Sequence, residues 1–215
     1  MANFRRVLER AAGKYFMWAA DDDLWDERFV AAGVTCLERE PSFDAWFPSI
    51  VNIDSFDHVI RDYPSFVRFT STGNKRRDVY RFLREPEVMG KANLIYSLYR
   101  LDKFKRQFEV FMLDDGWGSD MCFVLSFISR QDIKCDDEVL FRKRVASPDD
   151  DPDNPRRILV ENPSRYIFPL SQTVPYFLGN LAAVEGGLLK LMVVMVFAVK
   201  VPLAMRNSLM QFLRL

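Results

Sequence analysis

Apolar residues recur every three or four positions in several stretches of the chain, with charged residues between them. This spacing places the apolar side chains on one face of a helix, so it predicts amphipathic helices that pack against a core. The predicted helices are Ala2–Ala12, Asp26–Glu40, Asn74–Arg84, Leu101–Arg106 and Ser119–Arg130. In the second of them, the residues expected on the buried face are Phe29, Val30, Gly33, Val34 and Leu37.

Other apolar runs lack the helical period. Short, continuous apolar runs bounded by turn residues are typical of buried strands in a parallel or mixed sheet. Tyr15–Ala20, Phe43–Val51 and Ala92–Tyr99 are such runs, and Gln131–Val145 also has the composition of a strand. Pro48 interrupts the second run, which marks it as an edge strand or as a strand with a bulge. Strands that alternate with helices predict an α/β fold.

The segment 147–157 is rich in proline and aspartate and contains no large apolar side chain. This composition predicts a linker between an α/β domain, residues 1–146, and a helical C-terminal appendage, residues 158–215. The most apolar run of the chain, Leu191–Val199, lies in this appendage between Lys190 and Lys200. A helix that spans a membrane needs about 20 apolar residues. A helix packed on its own domain, a helix lying in a membrane interface and a true span therefore all stay open.

Composition excludes some classes of function. The chain has 215 residues, and its 30 basic and 30 acidic residues give a net charge of zero. Electrostatics therefore give no reason to expect a nucleic-acid partner. The three cysteines form no C-x-x-C pattern, and no signal peptide is visible at the N-terminus. We therefore expect reduced cysteines and a cytoplasmic protein, with a peripheral location at the inner face of the membrane as the alternative.

Three consecutive carboxylates, Asp21, Asp22 and Asp23, directly follow the first apolar run. Open α/β sheets bind ligands outside the carboxyl ends of their strands. Adjacent carboxylates repel one another, and a hard divalent cation relieves that repulsion. Mg²⁺ is typically held by one or two carboxylates together with substrate phosphates. The triad is thus a candidate site for a divalent cation such as Mg²⁺, and the alternative is an acidic patch that favours the start of the next helix.

The stretch 13–27, with Gly13-Lys14-Tyr15, the apolar run, the acidic triad and Leu24-Trp25, resembles the family 2 glycosyltransferases of the GT-A fold. The resemblance implies a partial GT-A, Rossmann-like mixed sheet flanked by helices. It also implies that the triad holds Mn²⁺ or Mg²⁺ against the diphosphate of a nucleotide-sugar. The expected reaction is sugar transfer, with inversion, to a hydroxyl of a glycan or lipid-linked acceptor.

A second part of the resemblance concerns Gly118-Ser119-Asp120. In the family, an acidic pair follows a glycine at the start of the equivalent helix, and one of the two acids is the catalytic base. Ser119 replaces the first acid here, so Asp120 is the candidate catalytic base. Asp114 and Asp115 are alternatives just upstream, and a helix-capping role for Asp120 also stays open. Arg142 and Arg144 are candidate diphosphate ligands, because guanidinium groups match phosphate oxygens, or they are surface charges at the end of a strand.

The resemblance covers residues 3 to about 144 and does not include the nucleotide-binding half with which family members normally begin. We therefore expect a long open sheet edge and weak or no donor binding by the chain alone. Three explanations stay open: a truncated chain, a completing chain or homo-oligomer, and a protein that has lost the activity. Two alternatives to a transferase stay open. One is a non-catalytic interaction module, with a protein partner or a membrane surface. The other is a different metal-dependent enzyme, against which stands the single histidine, His58.

Overall fold

The computed structural model describes residues 2–110, 118–145 and 170–212, and these form an α/β structure with helices flanking one mixed sheet. Its helices are α1 (Ala2–Arg10), α2 (Phe29–Arg39), α3 (Lys75–Arg84), α4 (Leu101–Val110), α5 (Ser119–Arg130), α6 (Leu170–Ala183) and α7 (Gly187–Phe212). Its strands are β1 (Tyr15–Phe16), β2 (Leu24–Trp25), β3 (Ala45–Ile53), β4 (Val59–Asp62), β5 (Leu98–Arg100) and β6 (Ile133–Arg144). The strand order is β1-β5-β3-β6-β2, with β4 paired to β3. β3 and β6 run parallel and the other neighbours antiparallel. The predicted α/β class with a mixed sheet is confirmed.

β3 is the centre of the sheet, and every residue from Ala45 to Ile53 is buried. Pro48 lies where the register between β3 and β6 shifts, on either side of Ser49. Because proline has no N–H to donate, it fits a strand where the ladder is irregular. The bulge is therefore the alternative that this strand adopts, and the edge position is not.

The predicted strand Ala92–Tyr99 is wrong over most of its length. Residues Lys91–Tyr96 form a 3-10 helix, and only Leu98–Arg100 form a strand. The hydroxyl groups of Ser97 and Tyr99 both donate to the carbonyl of Leu94, which fixes the helical turn. A segment that is buried on several sides has few polar residues, so its sequence shows no clear hydrophobic period. The sequence of a buried helical turn then has the same pattern as that of a buried strand. The first strand is likewise shorter than predicted, since β1 ends at Phe16.

All five predicted helices are present in the structure, with boundaries that differ by a few residues. The buried face of α2 is narrower than predicted, because Phe29, Gly33 and Leu37 are buried whereas Val30 is 51% exposed. Gly33 brings this helix close to the sheet. A Cβ atom at Gly33 would lie 2.6 Å from the Trp46 ring.

The described sheet does not have the long open edge that the sequence predicts. Its terminal strands, β1 and β2, contain two residues each. Part of the outer edge of β6 is covered by the segment around Thr70 and Ser71. The backbone N–H groups of Cys135 and Ile133 donate to the hydroxyls of Thr70 and Ser71 respectively. Side chains from outside the sheet therefore satisfy donors that an open edge would expose.

The two C-terminal helices pack on the rest of the molecule, α6 against α5 and α7 against α3. Tyr176, Val193 and Phe197 are buried in the same hydrophobic core as the sheet. The predicted linker, residues 147–157, and the start of the predicted appendage, residues 158–169, lie outside the described residues. Among the helices of the described residues, none has the length and apolar character needed to cross a membrane.

Candidate functional site

The acidic triad lies in the bend between β1 and β2, beside the end of β6. β2 pairs with β6 so that Leu24 lies opposite Arg142 and Trp25 opposite Phe141. The Trp25 ring stacks on the Phe141 ring, with centroids 4.0 Å apart and planes 12° from parallel. Because the triad directly precedes β2, this pairing holds the three carboxylates next to the last residues of β6.

Asp23 is the most enclosed member of the triad, and one of its two carboxylate oxygens is unused. Its Oδ1 accepts the backbone N–H of Arg144 at 2.8 Å. Its Oδ2 is buried and has no hydrogen-bond partner. Burial raises the pKa of Asp23, and the neighbouring Asp22 adds to the rise. A buried carboxylate oxygen without a partner costs free energy, so this atom is suited to a cation that is bound from outside.

Asp120 lies in the first turn of α5, which follows Gly118. The φ angle of Gly118 is 77°, in the left-handed region that glycine adopts without strain. A Cβ atom at Gly118 would lie 2.6 Å from the Tyr176 ring, so α6 packs tightly against this turn. The Asp120 carboxylate accepts the backbone N–H of Met121 at 2.7 Å, and burial raises its pKa. Asp120 thus helps to satisfy a backbone donor at the start of the helix, and its pKa is shifted in the direction that a general base requires.

The structure brings Asp120 into the same neighbourhood as the triad. Tyr96, at the end of the 3-10 helix, is half-buried, and burial raises its pKa to about 12. The carboxylates of Asp23, Asp120 and Asp22 each contribute to that rise. Carboxylates about 100 positions apart in the sequence therefore raise the pKa of the same phenol group. The alternatives Asp114 and Asp115 lie outside the described residues.

A divalent cation fits this arrangement only if substrate oxygens complete its coordination. Within residues 2–110, 118–145 and 170–212, no group of three or more His, Cys, Asp or Glu side chains has the geometry to hold a metal ion. Asp22 and Asp23 offer an exposed carboxylate and the unused Oδ2. One or two carboxylates are the usual protein contribution to a Mg²⁺ site that also uses substrate phosphates. Asp21 is exposed and is not among the carboxylates that act on Tyr96.

Arg142 and Arg144, the candidate diphosphate ligands, have different surroundings in the structure. The guanidinium of Arg144 donates to the carbonyls of Asp22 at 3.0 Å and Asp54 at 2.6 Å, and to the carboxylate of Asp57 at 2.5 Å. It therefore clamps the triad loop to the tip of the β3–β4 hairpin. Arg142 is exposed at the β2–β6 pairing and helps to lower the pKa of Asp26.

Lys143, between the two arginines, is the residue that the sequence reasoning missed. Successive side chains of a strand point to opposite faces of the sheet. Lys143 accordingly has different neighbours from Arg142 and Arg144. Its Nζ donates to Asn93 Oδ1 at 3.3 Å and lies 5.0 Å from the centroid of the Tyr96 ring. Its positive charge lowers the pKa of both Asp23 and Asp120, against the larger effect of burial. The alternation in Arg142-Lys143-Arg144 is the signal that could have separated Lys143 from its neighbours.

Comparisons with models of protein families and with curated proteins gave no match to this chain. The site itself therefore carries the functional argument. It combines two adjacent carboxylates with an unused buried oxygen, a third carboxylate with a raised pKa, and one ammonium group that faces them.

Proposed function

We propose that this chain is a glycosyltransferase-like protein with a partial GT-A fold. The proposed reaction transfers a sugar from a nucleotide-diphosphate sugar to an acceptor hydroxyl. Asp22 and Asp23 would hold Mn²⁺ or Mg²⁺, and Asp120 would act as the catalytic base. The observation that carries the proposal is the buried, unpartnered Oδ2 of Asp23 beside the exposed carboxylate of Asp22, and Asp120 acts on the same tyrosine, Tyr96, as these two acids. Metal binding and base catalysis must occur within one cleft for this reaction.

The reaction requires the acceptor oxygen to bond to the anomeric carbon while the bond from that carbon to the diphosphate oxygen breaks. The diphosphate leaves with the bonding electrons, and the acceptor proton passes to a base. A bound divalent cation supplies Lewis-acid stabilisation of the leaving charge. The carboxylate of Asp120 takes the proton. Burial raises the pKa of Asp120, and a carboxylate with a higher pKa is a better proton acceptor. Asp23 is fixed at one oxygen by the Arg144 N–H, and its other oxygen is buried and has no hydrogen-bond partner.

The test of this proposal is Mn²⁺ binding, measured by electron paramagnetic resonance with and without UDP. The variants are Asp22→Ala and Asp23→Asn. Asp22→Ala keeps the backbone carbonyl that Arg144 contacts, and Asp23→Asn keeps an oxygen for the Arg144 N–H. We expect weak Mn²⁺ binding that tightens with UDP in the wild-type chain, in keeping with the weak donor binding expected of the chain alone. This binding should fall about tenfold or more in either variant, since each loses a charged oxygen contact.

Asp21→Ala is the matched control, because Asp21 is exposed and does not act on Tyr96. Its binding of Mn²⁺ is expected to stay close to that of the wild-type chain. A wild-type chain that binds no Mn²⁺ even with UDP would contradict the proposal. Equal losses in all three variants would point to a diffuse acidic patch instead of a metal site.

A second candidate function, an interaction module, is favoured by the outer face of α7. This helix is apolar nearly all round, and only one side packs on the domain. Leu191, Met195 and Val199 are 52%, 55% and 63% exposed, and Leu188 and Leu203 extend the same stripe. The stripe is about 22 Å long at 1.5 Å per residue. A groove of about 890 Å³ separates it from α3, and Arg84 contributes to the groove wall.

The partner that best fits this face is an anionic membrane surface. Arg76, Arg77 and Arg84 are exposed on α3 beside α7. An apolar helix face flanked by basic side chains is the arrangement of helices that lie in a membrane interface. Such a location would also suit a lipid-linked acceptor.

Sedimentation with phosphatidylcholine vesicles, with and without phosphatidylserine, tests this face. We expect binding that requires phosphatidylserine and that decreases about tenfold or more in Met195→Glu/Val199→Glu, because two apolar side chains lose their burial in lipid. Val30→Glu/Val59→Glu is the matched control, since both residues are about as exposed but lie on other elements. Binding that is equal in the two double variants would exclude α7 as the membrane-binding face.

A further inference from the structure

Lys143 has a defined position in the acidic site. Its ammonium group donates to Asn93, a side chain that is only 4% exposed, and lies over the ring of Tyr96. Asn93 and Tyr96 belong to the same 3-10 helix, so a single rigid turn holds the end of a long, rotatable side chain. The contact with Asn93 uses one of the three ammonium donors.

The charges around this ammonium group show what it can bind. Asp22, Asp23 and Asp120 supply up to three negative charges to the neighbourhood of Tyr96. The guanidinium of Arg144 is engaged with the loop and hairpin carbonyls and with Asp57. The charge of Lys143 lowers the pKa of both Asp120 and Asp23, so it acts on both halves of the site.

We propose that Lys143 binds the diphosphate of the donor and so stabilises the leaving group. This inference rests on the proposed function. A lysine ammonium binds phosphate oxygens as a compact point charge, with donors that rotate to meet them. With the cation held by Asp22 and Asp23 on one side and Lys143 on the other, two positive centres would contact the diphosphate.

The test compares two probes, Mn²⁺ alone and Mn²⁺ with inorganic pyrophosphate, on the full chain. Lys143→Gln is expected to weaken the binding of pyrophosphate in the presence of Mn²⁺ by about tenfold to a hundredfold, since one charge-assisted hydrogen bond is lost. The same variant is expected to bind Mn²⁺ alone as well as the wild-type chain or better, because a nearby positive charge is removed. Lys143→Arg should keep most of the pyrophosphate affinity.

Arg39→Gln is the control, with the loss of one positive charge at an exposed position of α2, outside the candidate site. Its affinity for both probes should remain near that of the wild-type chain. Unchanged pyrophosphate binding in Lys143→Gln would overturn the role of Lys143 and leave the metal site intact. A parallel loss of Mn²⁺ alone would mean that Lys143 only supports the local structure. A wild-type chain that binds neither probe would overturn the proposed function and this inference together.

Discussion

Replacement of Glu87 by glutamine is expected to lower the free energy of unfolding by about 3 kcal/mol, because the change leaves a buried lysine without its counter-ion. Lys91 is 1% exposed, and its Nζ lies 3.1 Å from Glu87 Oε1. The same carboxylate oxygen accepts Lys200 Nζ from α7 at 2.6 Å and the Tyr176 hydroxyl from α6 at 3.3 Å. Glu87 therefore joins the segment after α3 to both C-terminal helices.

The pH dependence of stability identifies this ion pair. Burial lowers the pKa of Lys91 to about 8, although Glu87 acts in the opposite direction. Between about pH 8 and the ordinary value of 10.5, the unfolded chain binds more protons at this residue than the folded chain. The contribution of Lys91 to stability consequently rises with pH across that window. Without Glu87 the pKa falls further, so the rise should begin below pH 8.

Urea unfolding of the wild-type chain and of Glu87→Gln, followed from pH 7 to pH 10, measures both effects. Lys91→Met, which removes the buried charge, should flatten the rise. Glu38→Gln is a matched control, since Glu38 also pairs with a lysine, Lys14, but at an exposed position. Exposed ion pairs contribute little to stability. A loss of less than about 1 kcal/mol in Glu87→Gln, the value of an ordinary neutral hydrogen bond, would show that Lys91 is hydrated and not truly buried.

The local part of this structure follows from the sequence. In α3 the apolar residues Val79, Phe82 and Leu83 recur at helical spacing, and the Asn74 side chain accepts the Arg77 N–H as the N-terminal cap. These signals depend only on neighbours within one or two turns. The 3-10 helix at 91–96 does not follow in the same way, because its stabilising contacts include a lysine that reaches the carbonyls of Phe82 and Glu85.

The same distinction between local and tertiary signals applies to the candidate site. The triad and Asp120 can be selected from local sequence, as acids that follow an apolar run or precede a helix. Their proximity cannot be derived that way, because it depends on how β6, α5 and the 3-10 helix pack together. Two further contacts depend on the tertiary structure: Lys143 contacts Asn93 at a separation of 50 residues, and Glu87 contacts Lys200 at a separation of 113.

Replacement of Asp120 by asparagine is expected to lower sugar transfer by about 10²- to 10⁴-fold, the usual contribution of a general base. Asparagine has nearly the same shape, and its amide oxygen can still accept the Met121 N–H that the carboxylate accepts now. The start of α5 should therefore persist while the proton acceptor is lost. The measurement is release of nucleoside diphosphate from a panel of UDP- and GDP-hexoses with Mn²⁺, in the presence of glycan acceptors.

The pH profile adds a second signature of the same role. Burial raises the pKa of Asp120 above its ordinary value of 3.8. A base must be ionised to accept a proton, so transfer by the wild-type chain should decline as the pH falls through this raised pKa. Whatever activity remains in Asp120→Asn should lack that decline, because its amide does not titrate.

Asp102→Asn is the matched control, since Asp102 also lies in the first turn of a helix but is exposed and pairs only with Arg106 among the described ion pairs. Mn²⁺–UDP affinity separates the possible roles of Asp120. Loss of transfer with unchanged affinity identifies a base, whereas an equal loss of affinity would identify Asp120 as a metal ligand. Transfer at the wild-type rate by Asp120→Asn would remove it from the mechanism. A wild-type chain that binds Mn²⁺ and UDP but turns over no donor would favour the interaction module, because the acids would then bind without reacting.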